Sequence, residues 1–270
     1  MYEKPRLVQD FRDPRYSLLR SLRTPQGRSR TGLYIIEGIR HVARAWEECA
    51  PIESIFLDPS VLSNPFGQKL ARRLQQSGVT TVRLSHDLYQ GLTLAVEPQG
   101  IGALLRQRFA TLETVKPTRR SVWLAVESID SPGNLGTMIR TAEAAGVEGI
   151  FILSMNTDPW DPATVRATMG SLFSQRLVKC SSVDLIEWAK RFRVALVGSS
   201  PTGLLHYRSL PRRTPAVLMI GAERHGLSPI LVDSADFIVR IPMRGRCGSI
   251  NAAVAAGVLL FEMTSEQRGH

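Results

Sequence analysis

The chain has 270 residues, 43% of them apolar, enough for one large or two modest domains with a proper buried core. Lys and Arg total 34 against 24 Asp and Glu, a net charge of +10 in which arginine far outnumbers lysine, so the composition points to a polyanionic partner and, through the guanidinium fork, to phosphate. Cys49, Cys180 and Cys247 are odd in number and far apart, no Cys/His cluster suggests a metal, and no apolar leader or run of eighteen apolar residues occurs. These features argue against a disulfide framework, a metal site and a membrane span, and they predict a cytosolic protein.

In chain order, residues 1–30 carry Lys4, Arg6, Arg12, Arg15, Arg20, Arg23, Arg28 and Arg30 against Glu3, Asp10 and Asp13. The segment reads as a basic N-terminal extension with little apolar periodicity, either a solvated arm or a nucleic-acid contact, and Arg28 and Arg30 are its candidate nucleic-acid-binding residues. Residues 31–108 read as a small α/β domain. Its strands are expected at Leu33–Glu37, Ile52–Leu57, Val79–Leu84 and Ile101–Leu105, and its helices at Ile39–Cys49 and Phe66–Gln76. Residues 109–120, with Lys116-Pro117 and Arg119-Arg120, lack periodicity and read as a linker. In residues 121–270, strands at 121–126, 149–153, 194–198, 216–220 and 237–241 alternate with helices, the pattern of a parallel sheet. A strict G-x-G-x-x-G is absent, which counts against a dinucleotide fold.

Three segments of that second half carry chemistry. Asp130 to Gly146 follows the strand at 121–126: Pro132, Gly133 and Asn134 open a helix that Gly146 ends. Leu135, Met138, Ile139 and Ala142 face the core, while Thr137, Thr141, Ala144 and Ala145 make a stripe of small residues beside the long cation Arg140. Gly221-Ala-Glu-Arg-His-Gly226 empties from the strand at 216–220 into a glycine-bounded loop with a lone carboxylate, typical of ligand sites at the carboxyl edge of an α/β sheet. Ile241-Pro242-Met243 leads through a Gly- and Arg-containing loop to Ser249, Ile250 and Asn251, where a helix opens. That helix, to Met263, is apolar on nearly every face, so it must be buried between a sheet and another surface, most simply a second subunit. Its polar opening places unpaired backbone N–H groups where a ligand can meet them.

Taken together, the three segments resemble the signature of the SpoU (TrmH-like) RNA ribose 2′-O-methyltransferases, over about residues 121–265. The family's N-x-G-x-x-x-R is met by Asn134, Gly136 and Arg140. Its G-x-E-x-x-G is met by Gly221, Glu223 and Gly226, and its I-P-M … S-L-N by Ile241-Pro242-Met243 and Ser249-Ile250-Asn251. Ile250 stands where leucine is usual, a volume-conserving change, and Ala252-Ala253 replace the common Val-Ser. The first strand and the Glu37-Gly38 step also resemble, more loosely, the ribosomal-protein-like substrate-binding module that many such enzymes carry.

The resemblance implies a trefoil-knotted parallel-sheet domain, S-adenosylmethionine as cofactor, RNA as partner, and a homodimer formed through the catalytic domain. It implies catalytic roles for Arg140, Asn134, Glu223, Ser249 and Asn251, and cofactor contacts at Ser199, Gly221, Ile241, Met243 and Ile250. Arg166-Ala-Thr-Met-Gly-Ser-Leu-Phe173 resembles a family segment near the RNA-facing side, which makes Arg166 a third candidate RNA-binding residue. His225 is not required by the pattern and is expected to be peripheral. The expected substrate is large-subunit rRNA. Alternatives are a tRNA 2′-O-methyltransferase and a catalytically idle RNA-binding or ribosome-assembly protein.

Overall fold

A computed structural model of the chain describes residues 7–154, 157–211 and 215–265. They form two compact units, one of residues 7–107 with 160–173, the other of the described residues within 108–159 and 174–265. Residues 160–173, expected inside the domain at 121–270, are thus part of the first unit.

The first unit is built on β1 (Leu7–Val8), α1 (Pro14–Ser21), α2 (Pro25–Thr31), β2 (Leu33–Glu37), α3 (Ile39–Glu47), β3 (Ile52–Leu57), α4 (Pro65–Gln76), β4 (Thr80–Leu84), α5 (His86–Gln90) and β5 (Ile101–Arg106). The sheet order is β1-β4-β3-β5-β2, with β5 antiparallel to both neighbours and the other pairs parallel.

The basic extension is a folded part of this unit where it is described. Asp13 and Thr24 cap α1 and α2, each followed at once by a proline whose missing N–H costs nothing at a helix start. Tyr16, Leu19 and Leu22 recur at i, i+3 and i+6 and are buried against Val82, Leu84 and Leu104. Lys4 and Arg6 lie outside the described residues. Arg28 must be withdrawn as an RNA contact, because its side chain is only 2% exposed. Its Nη1 donates to the Leu22 carbonyl at 2.9 Å and its Nη2 pairs with Asp161 at 3.0 Å. It is a structural cation.

Asp161 also caps the helix of the 160–173 segment, accepting from Ala163 N at 2.9 Å. Trp160, just before it, lies 4.6 Å from Tyr34, centroid to centroid. A buried ion pair and an aromatic contact therefore tie this segment to α2 and β2.

The second unit contains β6 (Val122–Val126), α6 (Pro132–Ala144), β7 (Ile150–Ile152), β8 (Leu177–Lys179), α8 (Ser182–Phe192), β9 (Ala195–Ser199), β10 (Leu205–His206), β11 (Ala216–Ile220), α9 (Pro229–Ser234), β12 (Phe237–Arg240) and α10 (Ala252–Thr264). α7 (Pro162–Ala167) is the helix of the inserted segment. The sheet order is β10-β12-β9-β11-β6-β7-β8, and every pair is parallel. The chain runs outward from β6 through β7 to β8, then returns to build on the other side of β6. Such a reversal opens a crevice at the carboxyl edge of the sheet.

One face of this sheet is filled by Trp123, Phe151 and Trp188, with centroids 5.1–6.0 Å apart. The expected linker is anchored there: Val115 is fully buried and its carbonyl accepts from Trp188 Nε1 at 2.9 Å.

Candidate active site

The loops that follow β9, β11 and β12 meet in a cleft of about 710 Å³. Ser199, Gly221, Ile241, Met243 and Ile250 all line it, as do Glu223, Ser249 and Asn251. Strands β12, β9 and β11 are neighbours in the sheet although far apart in sequence, so parallel pairing alone brings their carboxyl ends together.

A hydrogen-bonded chain joins the three segments. Asn134 Nδ2 donates to Glu223 Oε1. Asn251 Nδ2 donates to Asn134 Oδ1 at 3.0 Å. Asn251 Oδ1 in turn accepts from Ala253 N at 2.9 Å and Val254 N at 3.2 Å, capping α10. Asn134 gives one of its two N–H donors to the carboxylate and one oxygen lone pair to the amide, so both side chains are fixed in orientation. At the start of α6, Ser131 Oγ accepts from Asn134 N at 3.4 Å, which seats that residue.

Gly221 is required by the folding of its own loop. A Cβ there would stand 2.1 Å from the carbonyl carbon of Gly226, across a loop closed by reciprocal bonds between Ala222 and Gly226. Glycine lets the loop fold on itself, and Gly226 supplies its φ of +68°. The closed loop holds Glu223 toward Asn134.

Arg140 is placed differently. It is exposed on α6 and does not line the cleft. Gly133, Thr137 and Ala144 share its exposed face at helical spacing. The expected stripe of small residues is therefore divided: Thr137 and Ala144 flank Arg140 in the open, Ala145 is buried, and Thr141 lies beneath α10. A Cβ on Gly257 would come within 3.3 Å of the Thr141 methyl, so this helix contact is a close one.

α10 is not buried on every side. Ala253, Ala256, Leu259 and Leu260 are buried, whereas Val254 (54%), Val258 (37%) and Phe261 (50%) are exposed. Its apolar outer face is uncovered in the single chain.

Arg30 and Arg166 are exposed, both in the first unit, and Arg166 Nη1 donates to the Leu94 carbonyl at 3.1 Å. His225 lines the cleft. Sequence reasoning missed Glu127 at the end of β6, whose Oε2 accepts from Ser228 N at 2.8 Å and ties down the far end of the Gly221–Gly226 loop. A lone carboxylate directly after a buried strand was the available signal. It also missed Arg224, which lines the cleft, and passed over Arg244 and Arg246, exposed in the loop after β12.

The cleft suits a nucleoside-sized cofactor. Its size falls within the range of small-molecule pockets, and Ile220, Ile241, Met243 and Ile250 give apolar surface beside Ser199, Ser200 and Glu223.

A family model described as the SpoU rRNA Methylase family matches residues 121–261, and one described as an MRM3-like substrate binding domain matches residues 14–103. The structure resembles an AdoMet-bound rRNA methyltransferase from Sinorhizobium meliloti, with a TM-score of 0.89 and 30% identity over 98% of this chain and 99% of that one. It also resembles the AdoMet complex of the SpoU methyltransferase AviRb from Streptomyces viridochromogenes, with a TM-score of 0.85 and 28% identity over 95% and 98% of the two chains. The 23S rRNA (guanosine(2553)-2'-O)-methyltransferase RlmP of Bacillus subtilis is 26% identical over 244 residues, 90% of this chain and 93% of the relative.

Proposed function

The chain belongs to the SpoU rRNA methylase family, and from that premise we propose that it methylates a ribose 2′-hydroxyl of large-subunit rRNA in the cytosol. It is an S-adenosylmethionine-dependent RNA methyltransferase. The proposal lies in the substrate, the residue roles and the assembly. The observation that carries it is the bonded series Glu223–Asn134–Asn251 at the mouth of the cleft, because an idle RNA-binding relative has no need to keep that series complete.

When bound, S-adenosylmethionine supplies an electrophilic methyl group. The chain's own task is to hold it and to ready a poor nucleophile. Ser199, Gly221, Ile241, Met243 and Ile250 line the cleft that would hold the cofactor, and their apolar side chains would suit its base. Asn134, Glu223, Ser249 and Asn251 fix the ribose by hydrogen bonds at an edge that is already organised, so little reorganisation is needed at the moment of reaction.

Arg140 acts as a cation. A guanidinium holds its proton throughout the working pH range and is a poor base. It grips an RNA phosphate and stabilises the developing alkoxide, with proton loss aided by that phosphate. Arg224, Arg244 and Arg246 add positive charge along the loops of the same edge, suited to a phosphate backbone.

The uncovered apolar face of α10 supports a homodimer through the second unit, since a symmetric pair would bury Val254, Val258 and Phe261. The family likeness supports a knotted passage of the chain near the cleft. The first unit is read as the module that binds RNA, in keeping with the substrate-binding model that matches it.

The test is methyl transfer from labelled S-adenosylmethionine to unmodified total rRNA and, separately, total tRNA. Label on the large rRNA at an alkali-resistant dinucleotide is expected. Label confined to tRNA would replace the proposed substrate, and no label on either would leave the idle reading.

A further inference from the structure

The first unit has a cleft of its own, about 330 Å³, walled by the Glu37–Gly38 turn and the start of α3, by residues 92–99, and by residues 162–169. The last wall comes from the segment inserted between β7 and β8, beyond the residues matched by the substrate-binding model. Its accessible apolar surface comes from Leu94, Ala95, Pro162 and Met169, while Ile36, Leu92 and Val165 are buried in its walls.

Arg23, Arg40 and Arg166 line the same cleft. Two of them are held by backbone carbonyls: Arg23 Nη1 donates to Gly91 O at 2.7 Å, and Arg166 Nη1 to Leu94 O at 3.1 Å. Elsewhere in this unit Arg15, Arg28, Arg44 and Arg106 are paired with carboxylates. A guanidinium pinned by a carbonyl keeps its whole charge and most of its five donors, and it is already ordered.

The acidic groups at the cleft are Glu37 and Glu97. Glu37 is occupied, its carboxylate accepting from the Thr93 hydroxyl and from Leu94 N, bonds that shape the 92–95 loop. Gln99 spends its Oε1 on Ile39 N at 2.8 Å, which leaves its amide donors for an acceptor on a ligand.

An apolar slot of about nucleotide size, rimmed by planar cations, matches the way single-stranded RNA is read, with an unstacked base set against apolar or guanidinium surface and its phosphates on arginine. Resting on the reading that this chain acts on RNA, we propose that this cleft receives one unpaired nucleotide of the substrate, its base against Leu94, Ala95 and Met169 and its phosphates on Arg23, Arg40 and Arg166. Recognition then occurs at two places, the methylated ribose in one unit and a flipped-out nucleotide in the other.

The experiment uses the full chain with an unmodified large-subunit rRNA transcript. Two variants address the cleft, Arg40→Ala at its charged rim and Ala95→Trp to fill it, with the exposed Arg73→Ala on α4 as control. Both cleft variants are expected to raise the KM for RNA about tenfold, the scale of one stacked base, while S-adenosylmethionine binding stays as in the parent and the control behaves as the parent. With 4-thiouridine in the transcript, cross-links to peptides spanning 35–41, 92–99 or 162–169 are expected, and they should vanish in Ala95→Trp. A parent-like KM in both variants, or loss with Arg40→Ala but not with the filled cleft, would overturn the proposal, the second result meaning a phosphate contact without a bound base. If the parent chain methylates no RNA at all, the functional reading fails instead, and the two failures are told apart by that one lane.

Discussion

The two units are built from similar strands and helices, yet only one of them announces its chemistry in the sequence. In the second unit all seven strands run the same way. Every strand-to-helix loop is therefore delivered to one edge, and Asn134, Glu223 and Asn251 meet although 117 residues separate the first from the last. In the first unit β5 runs against its neighbours, so loops are shared between both edges. Its cleft is assembled from three unrelated segments, one of them borrowed from between β7 and β8. A parallel sheet writes its site as short motifs after strands; a mixed sheet does not.

The contrast can be broken most sharply at Arg140. Because it is exposed and lies outside the cleft, Arg140→Ala is expected to keep the melting temperature and cofactor affinity while methyl transfer falls at least about a hundredfold, the range seen when a preorganised charge is removed. Single-turnover transfer with saturating RNA measures it. Turnover within a factor of two of the parent would remove Arg140 from the mechanism.

The outer face of α10 tests the assembly. Val258→Arg places a charge on a patch that is exposed in one chain, so it should yield monomers by sedimentation and lose activity with them. Ala256→Arg is the wrong probe, because Ala256 is fully buried within its own chain and the substitution would disrupt the fold. A stable, fully active monomer of the parent chain at micromolar concentration would defeat the dimer.

In the first unit the matching arginine substitution should act on the fold instead. Arg28→Ala removes one partner of a pair whose carboxylate, Asp161, also caps α7, and leaves the Leu22 carbonyl without its donor. The cost should be about 3 kcal/mol, read as a lower denaturation midpoint, with little change in the rate of methyl transfer per folded molecule. Deleting residues 1–30 is expected to destabilise the unit for the same reason, since it takes Tyr16, Leu19 and Leu22 out of the core.

The limits of sequence reading follow from these cases. Strands such as Leu33–Glu37 and Ala216–Ile220 fall where apolar runs place them, because burial of their central residues leaves no other reading. The loops after β9, β11 and β12 were singled out by the family resemblance, and the parallel sheet brings them to one cleft. Arg28 was not, since its fate depends on a carboxylate 133 positions away that no local pattern reveals. Tyr16, Leu19 and Leu22 do carry helical spacing, but eight basic residues around them drew the reading toward a solvated arm.

A smaller effect separates core from edge within the second unit. Cys180, after β8, packs against the cluster around Trp123 and Phe151. Burial, reinforced by the nearby carboxylate of Asp184, pushes its thiol up to about 12. The thiolate is the reactive form, so burial keeps Cys180 protonated and unreactive at pH 8. Cys49 and Cys247 are exposed, the latter on the loop after β12. Iodoacetamide at pH 8 should therefore take two thiols from the native chain and three in denaturant, as counted by intact mass. The same raised value means that folding favours the protonated thiol. Its contribution to stability is full below the unfolded thiol's ordinary value and is lost as pH rises toward 12, well above the assay range. Native labelling of Cys180 at the rate of Cys247 would show that the end of β8 opens as readily as the loops of the active edge, and the distinction between a fixed sheet and a working rim would not hold there.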